Sequence, residues 1–317
     1  MRREDSKFSN QVSGAGNTNP LIISGKEIYQ WLVAPLESEL QANGVDNLVF
    51  ILDESLRSLP LVAMHDGQGF IVERYSVGLM PSLSLTDTRY VDITDFPVLA
   101  MGASEFDGEE SDLPAVPAEL SVIADRLWQG SSFLNAGFTP ERLVQARKST
   151  PFALIHLATH ASFRSGKPQN SYIRFWDREL PFDRMRQLQL YDPLTELLVL
   201  SACQTAIGDR EAELGFAGLA VQTGAKSALG SLWSVEDAGT LGLMASFYEQ
   251  LKEAPTKSEA LRRAQLAMLH GKVRIESGQL VTDSGTFPLP PDLQSMRDRT
   301  LSHPYYWSAF TLVGNPW

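Results

Sequence analysis

The sequence predicts an α/β fold whose central sheet is mostly parallel and is flanked by helices on both faces. Short apolar segments, typical of buried strands, alternate with amphipathic segments, typical of helices, and this order favours a parallel sheet covered on both sides. The composition agrees, because the 317 residues are 43% hydrophobic and 21% charged, as in ordinary folded domains. The length allows one large unit or two domains.

Composition also excludes several classes of function. The formal net charge of −11 and the absence of a Lys/Arg cluster argue against nucleic-acid binding, which depends on clustered positive charge. No apolar run approaches the roughly 20 residues that span a bilayer, and the first residues lack the apolar stretch of a signal peptide. We therefore expect a cytoplasmic protein with no nucleic-acid or membrane partner.

The cysteine and histidine content argues against metal sites and disulfides. The single cysteine, Cys203, cannot form an internal disulfide and excludes every zinc site built from several cysteines. The five histidines lack the spacing of metal ligands. We expect neither a metal ion nor another cofactor.

The first third of the chain alternates less regularly than the rest. Residues 1–20 are polar and rich in Gly, Asn and Ser, which is typical of a disordered arm or an expression remnant. Ser24 and Glu27 form a capping box, which predicts that a helix begins there and bends at Pro35. We assign residues 21–95 to a degenerate N-terminal lobe.

The regular alternation occupies residues 96–317, which we assign to the main domain. Short apolar runs predict strands at 96–101, 152–158, 172–176, 197–202 and 227–233, and one such run in the N-terminal lobe predicts a strand at 48–52. Capping residues and helical periodicity predict helices at 117–129, from 139, at 181–188, 211–223, 237–252 and 256–269. Residues 271–302 are rich in Pro, Gly and Asp and receive no regular structure, whereas the apolar tail 305–317 is predicted to dock as a terminal strand.

Two predicted strands end in residues that can do chemistry. Cys203 lies where the apolar run 197–202 gives way to a polar turn, and His160 follows the apolar run 152–158. Reacting groups gather outside the carboxyl ends of parallel strands, so the thiol and the imidazole form a candidate Cys/His dyad. A free cysteine is more often a small buried hydrophobe, and for Cys203 alone this alternative stays open.

Other candidate residues have two interpretations each. His156 lies inside an apolar strand and is more typical of a core histidine than of a catalytic base. Trp233 and Asp237 follow the next predicted strand, either as a core-edge tryptophan and a helix-capping aspartate, or as a groove wall and an acceptor for a basic substrate side chain. The acidic segment 105–112 is interpreted as a solvated surface loop.

Six segments spread over residues 25–317 together match the pattern of one family. They are residues 56–60, 156–160, 198–206, 212–220, 231–237 and 303–316. With these segments the chain resembles the CHAT family, caspase-like domains of clan CD that are related to caspases and separases and in bacteria are often attached to tetratricopeptide repeats. The set is specific, whereas either dyad motif alone is not.

The resemblance implies a caspase/separase-type cysteine endopeptidase that makes limited regulatory cuts in a partner protein or in itself. It implies that His160 is the general base and acid, that Cys203 is the attacking thiolate, and that the backbone N–H groups of Ala161 and Cys203 are oxyanion donors. The segment with Trp233 and Asp237 is similar to one that shapes the specificity pocket of separases, which implies cleavage after a basic residue. Ala161 stands where the family usually has glycine, but it retains its N–H group.

The resemblance also bears on partners and on an alternative function. A peptidase of this type takes a protein or peptide substrate, and tetratricopeptide repeats could lie on the same or another chain, although no period of about 34 residues occurs here. The alternative is a catalytically silent interaction module of CHAT type that keeps the fold without turnover.

Overall fold

The computed structural model describes residues 18–53, 56–85, 87–107, 110–163, 170–201, 204–205 and 224–317. Its α-helices are α1 (Thr18–Leu32), α2 (Glu37–Ala42), α3 (Val116–Ser121), α4 (Pro140–Ser149), α5 (Asp237–Leu251), α6 (Lys257–Leu269) and α7 (Pro304–Trp307). Its strands are β1 (Asn47–Phe50), β2 (Ser76–Leu79), β3 (Val98–Gly102), β4 (Gly130–Leu134), β5 (Leu154–Ala158), β6 (Ala161–Phe163), β7 (Tyr172–Arg174), β8 (Glu179–Pro181), β9 (Leu197–Leu200), β10 (Gln204–Thr205), β11 (Ser227–Ser231), β12 (Arg274–Glu276), β13 (Gln279–Thr282), β14 (Gly285–Pro288), β15 (Arg299–Thr300) and β16 (Phe310–Gly314).

The central sheet of the described chain has eight strands in the order β1-β2-β16-β11-β9-β5-β3-β4. Strands β11, β9, β5, β3 and β4 are parallel to one another, and β1, β2 and β16 form a second parallel block. The blocks meet at β11 and β16, which are antiparallel. The prediction of a mostly parallel α/β sheet is confirmed.

Helices cover both faces of this sheet because of the way the chain crosses over. Helix α3 connects β3 to its neighbour β4, and α4 leads from β4 back across β3 to β5. Crossovers between parallel strands are right-handed, so two steps in opposite directions place α3 and α4 on opposite faces. Helix α5 packs against α3 and α6. No helix in the described ranges is long and apolar enough to cross a membrane.

Some local signals identify helix starts correctly. The hydroxyl of Thr139 accepts a hydrogen bond from the Arg142 N–H at the start of α4. The hydroxyl of Thr256 accepts one from the Glu259 N–H at the start of α6. Both are the caps expected from the sequence.

The predicted start of the first helix is wrong. Helix α1 begins at Thr18, and Ser24 lies buried inside it. Leu21 is fully buried, so packing extends the helix past the local capping signal. At Pro35 the chain does not bend a continuous helix but forms a separate 3-10 turn, Ala34–Leu36.

Residues 271–302, which received no regular structure, form an antiparallel sheet in the order β14-β13-β12-β15. Strands β12 and β13 are joined by Ser277 and Gly278, both with positive φ (52° and 71°), as a two-residue hairpin turn requires. Leu280 and Phe287 are buried. The strands are two to four residues long, too short for a recognisable period in the sequence.

The N-terminal part of the chain joins the same central sheet. Strand β2 pairs with β16 through Leu79 opposite Val313, so the sheet continues across the predicted boundary at residue 95, and that boundary stays a prediction. The tail docks as β16, as expected. The arm predicted at the start is described only from Thr18, where α1 begins, and the helix predicted at 211–223 lies outside the described residues.

The carboxyl end of β3 approaches β5 closely. A Cβ atom at Gly102 would lie 2.5 Å from the Ala158 carbonyl oxygen, whereas one at Gly78 in β2 would lie 3.4 Å from the Pro316 Cβ. We expect Gly102→Ala to lower the free energy of unfolding by about 1–3 kcal/mol, as overpacking does, and Gly78→Ala to lower it less. Urea unfolding measures both, and equal losses would contradict a tight contact between β3 and β5.

Candidate active site

The candidate residues converge because four neighbouring parallel strands end at one edge of the sheet. The loop after β3 carries Phe106 and Ser111, the chain after β5 carries His160, and the segment after β11 leads to Asp237. Cys203 follows β9 in the sequence. This edge is therefore the place where parallel α/β sheets hold their sites.

Cys203 lies outside the described residues, but the chain is described on both sides of it. Before it, the Ser201 N–H donates to the Leu157 carbonyl oxygen at 3.1 Å. After it, Gln204 stands opposite Ser162 in the parallel pairing of β10 with β6. Both flanks of the cysteine thus run beside the segment that contains the candidate histidine.

His160 is half-buried and its ring is held by the loop after β3. Its Nε2 lies 2.7 Å from the carbonyl oxygen of Ser111, and its ring centroid lies 4.6 Å from that of Phe106. A carbonyl oxygen only accepts hydrogen bonds, so Nε2 is the donor. In the neutral ring Nδ1 then has the lone pair and is the nitrogen that can take a proton.

The loop that holds His160 is closed by its own hydrogen bonds. The Leu113 N–H donates to the Ser104 carbonyl oxygen at 2.9 Å, and the Phe106 N–H donates to Asp112 Oδ1 at 3.0 Å. At its base, the Ser104 N–H donates to Asn135 Oδ1 at 2.8 Å. These bonds fix the positions of the phenyl ring and of the Ser111 carbonyl group.

A second tether joins this loop to β7. Glu110 forms an ion pair with Arg174 at 3.0 Å, and the Arg174 N–H donates to the His160 carbonyl oxygen at 2.9 Å. The buried hydroxyl of Thr159 donates to the Arg174 carbonyl oxygen. The backbone of His160 is therefore held from one side by β7 and its ring from the other by the loop.

Sequence reasoning missed this role of the acidic loop. Glu105 and Asp107 are exposed, as expected for a solvated surface, but the phenyl ring between them and the carbonyl group of Ser111 face the histidine. The signal was the position of the loop directly after a predicted strand neighbouring that of His160. In a parallel sheet, such a loop leaves at the same edge.

The N–H group of Ala161 points toward β10, the strand that follows Cys203 in the sequence. The Arg174 N–H donates to the His160 carbonyl oxygen across the β6–β7 pair, and the next residue, Ala161, stands opposite Ile173. Hydrogen-bonded and non-hydrogen-bonded positions alternate in an antiparallel pair, so Ala161 occupies a non-hydrogen-bonded position. Its N–H therefore faces away from β7, toward β10. This is the direction that an oxyanion donor beside the cysteine requires.

Asp237 is a half-buried carboxylate that does not cap its own helix. It is the first residue of α5, the N-cap position belongs to Glu236, and its Oδ2 accepts instead from the Ala115 N–H at 3.3 Å. Burial, with smaller contributions from Glu119 and Glu236, raises the pKa of Asp237 to about 6, against the opposing influence of that N–H group and of His160.

Trp233 lies at the edge of the core. It is 2% exposed, and its indole N–H donates to the Tyr305 carbonyl oxygen at 3.1 Å. The C-terminal segment covers the indole, which leaves little of it for contact with a substrate. Asp237 thus lies near enough to His160 for the charge of the histidine to influence its pKa, whereas Trp233 is covered.

His156 is fully buried within β5. Its Nε2 lies 2.8 Å from Glu119 Oε1, and its Nδ1 lies 3.3 Å from the hydroxyl oxygen of Tyr248. Both ring nitrogens have partners, as a core histidine requires. In the part of the chain that is described, no group of three or more His, Cys, Asp or Glu side chains is arranged to hold a metal ion.

The raised pKa of Asp237 predicts a stability effect. A carboxyl whose pKa is higher in the folded than in the unfolded protein binds protons more tightly when folded, so stability falls as pH rises from about 4 to about 6. We expect Asp237→Asn to raise the free energy of unfolding at pH 7.5 by about 1–3 kcal/mol. The gain should shrink as the pH falls to 4, which urea unfolding at several pH values measures, and a pH-independent difference would contradict it.

The chain has matches among solved structures and among family models. Two solved structures are similar: "Crystal structure of the Arg specific cysteine proteinase gingipain R (RGPB)", with a TM-score of 0.48 and 10% identity over 97% of this chain and 69% of that one, and "Complex of Porphyromonas gingivalis RgpB pro- and mature domains", with a TM-score of 0.49 and 11% identity over 99% and 75%. No curated protein matches the chain. The CHAT domain family model matches residues 23–315, and the chain therefore belongs to the CHAT domain family.

Proposed function

We propose that the protein is a caspase/separase-type cysteine endopeptidase in which Cys203 is the nucleophile and His160 the general base and acid. The observation that carries the proposal is the pairing of both flanks of Cys203: Ser201 with Leu157, and Gln204 with Ser162. A nucleophile and its base must come within hydrogen-bond reach. Only two residues separate the described flanks of the cysteine, and both flanks pair with the chain beside His160.

The orientation of the imidazole supports the role of His160. Since Nε2 donates to the Ser111 carbonyl oxygen, Nδ1 is available to take the proton of the thiol. A third group that orients the base is the usual requirement for an activated nucleophile, and here the backbone carbonyl of Ser111 supplies it. The phenyl ring of Phe106 restricts the rotation of the imidazole.

The reaction then proceeds in two halves. The thiol of Cys203 gives its proton to His160 Nδ1, and the thiolate attacks the carbonyl carbon of the scissile peptide bond, while the N–H groups of Ala161 and Cys203 stabilise the oxyanion. His160 returns the proton to the leaving amine, which leaves a thioester. A water molecule, deprotonated by His160, attacks the thioester and releases the carboxylic acid product and the thiol.

We further propose that Asp237 accepts the basic side chain that precedes the cut. It is half-buried at the same edge as His160, and its carboxylate has a single neutral donor, Ala115, in the described structure. A partly desolvated carboxylate is stabilised by a cation. The net charge of −11 also favours the approach of a basic peptide.

In the cell, this activity would make limited regulatory cuts in a partner protein or in the chain itself, in a bacterial cytoplasm and alongside tetratricopeptide repeats on the same or another chain. The substrate is a protein or peptide. If the protein is a catalytically silent interaction module and not a peptidase, the following experiment would reveal it.

Removal of either dyad residue tests the proposed activity. We expect Cys203→Ala and His160→Ala each to lower cleavage of peptides with Arg or Lys before the scissile bond by at least about a thousandfold, because the dyad acts as a unit. Initial rates with fluorogenic peptides in a reducing buffer measure this. The control is His270→Ala, the same change at an exposed histidine, which should retain full activity; cleavage that survives in the Cys203 variant would rule out the proposal.

The choice of substrate tests Asp237. We expect the wild type to prefer a peptide with Arg before the cut over the same peptide with citrulline, which has nearly the same shape and no charge. Asp237→Asn should reduce this preference by about tenfold or more, since it removes one partner of a desolvated charge pair. The exposed Asp125→Asn is the matched control and should leave the preference unchanged.

The same ratio should depend on pH. Because the pKa of Asp237 is about 6, its carboxyl is ionised above that pH and loses its charge below it. We expect the preference for Arg over citrulline to fall as the pH drops below about 6 in the wild type and to be flat in Asp237→Asn. Titration of the dyad affects both peptides equally and therefore cancels in the ratio of their cleavage rates. If this ratio does not change with pH in the wild type, the result would argue against Asp237 as the acceptor of the basic side chain.

A further inference from the structure

A buried chain of three polar side chains lies in the core where β5, α3 and α5 meet. Glu119 of α3 contacts His156 of β5 at 2.8 Å, and Tyr248 of α5 lies 3.3 Å from the other ring nitrogen of that histidine. The exposed fractions of the three residues are 2%, 0% and 0%. The mechanism proposed above uses none of them.

The three elements joined by this chain also lead to residues of the site. His156 lies within β5, and His160 follows two residues after the end of that strand. Helix α5 contains both Tyr248 and, at its first residue, Asp237.

Helix α3 completes the link. The N–H group of Ala115 at its start contacts Asp237, and the Ala115 carbonyl oxygen accepts the helical hydrogen bond of the Glu119 N–H at 2.9 Å. One helical turn therefore separates the donor to Asp237 from the carboxylate that binds His156. The inner contacts and Asp237 therefore share helices α3 and α5.

Stability alone is a poor reason for such a chain. Burying a carboxylate and an imidazole costs free energy that apolar side chains of similar volume would not cost. Buried polar groups that satisfy one another specify one relative arrangement of the elements that bear them. The arrangement specified here is that of β5, α3 and α5.

We propose that Glu119, His156 and Tyr248 are positioning residues that fix the place of Asp237 relative to β5 and, through the charge of Glu119, set the preference of the site for a basic substrate residue. This inference rests on the proposed function, in which Asp237 binds that residue. None of the three touches the substrate. They act through the elements they join.

The electrostatics agree with this geometry. The negative charge of Glu119 raises the pKa of Asp237, as do burial and Glu236, whereas the Ala115 N–H and His160 lower it. Glu236 is itself paired with Arg299 at 2.6 Å. Of the two neighbouring carboxylates, Glu119 is the buried one, and its described side-chain partner is His156.

The deciding variant is Glu119→Gln, which removes the charge and keeps an oxygen that can accept from His156. We expect the titration midpoint of the Asp237 carboxyl to fall by about half a pH unit or more, because a like charge has gone. Side-chain carbon NMR of the full chain measures it, with the Asp237 signal identified by its absence in Asp237→Asn. This readout needs no catalysis.

Glu249→Gln is the matched control. Glu249 is a buried carboxylate on helix α5, and it accepts a hydrogen bond from the hydroxyl of Thr282. Glu249→Gln therefore makes the same chemical change as Glu119→Gln, but at a side chain with different contacts. It should leave the midpoint of Asp237 unchanged. In active protein, the pH at which the preference for Arg over citrulline is half lost should move with Glu119→Gln and not with Glu249→Gln.

The positioning role has its own test in His156 and Tyr248. We expect His156→Leu to lower kcat about tenfold or more with a smaller change in KM, since small misplacement of catalytic groups is costly, and His156→Gln to restore part of it through an amide donor to Glu119. Tyr248→Phe, which removes one oxygen, should fold and give a smaller loss of the same kind.

The outcomes separate the two proposals. An unchanged Asp237 midpoint in folded Glu119→Gln protein, or full kcat in His156→Leu, would overturn the positioning inference. A different outcome is that the Asp237 midpoint shifts in Glu119→Gln while the wild-type protein cleaves no peptide. That result would uphold the coupling of Glu119 to Asp237 and overturn the proposed peptidase function instead.

Discussion

The parallel pairing of β3, β5, β9 and β11 is the constraint on which the rest of the structure depends. Parallel strands can be connected only by crossovers, so each strand sends its following loop to the same edge of the sheet. His160, the acidic loop, the segment with Asp237 and the described flanks of Cys203 meet at that edge for this reason. Residues far apart in the sequence, such as Ala115 and Asp237, become partners there.

Much of this arrangement could be predicted from the sequence because the signals are local. A buried parallel strand is a short apolar run, and the residue that follows it is located with it, so His160 and Cys203 are identified as strand-end residues by the apolar runs that precede them. The caps at Thr139 and Thr256 are equally local, since a hydroxyl bonds an N–H three residues along. The family pattern adds specificity that neither motif has alone.

The rest depends on contacts that no local pattern encodes. The pairing of Glu119 with His156 spans 37 residues, and the Ser111 carbonyl reaches His160 across 49. The start of α1 is set by burial of Leu21 rather than by the box at Ser24. The hairpins within 271–302 are stabilised by packing on α5 and by a positive-φ turn, so their composition resembles that of a loop.

The charge balance at the edge connects the fold to the substrate. Asp237 and Glu119 place two carboxyl groups near each other. The positive influence of His160 opposes their effect on Asp237, and His156 bonds Glu119. An ionised carboxyl in this position is unfavourable by itself, since burial raises its pKa. A guanidinium or ammonium group that enters beside Asp237 stabilises the ionised form and must lower that pKa. By linkage, the cation binds more tightly at pH 7 than at pH 5. A basic substrate residue would therefore relieve the free-energy penalty that burial imposes on the carboxylate of Asp237.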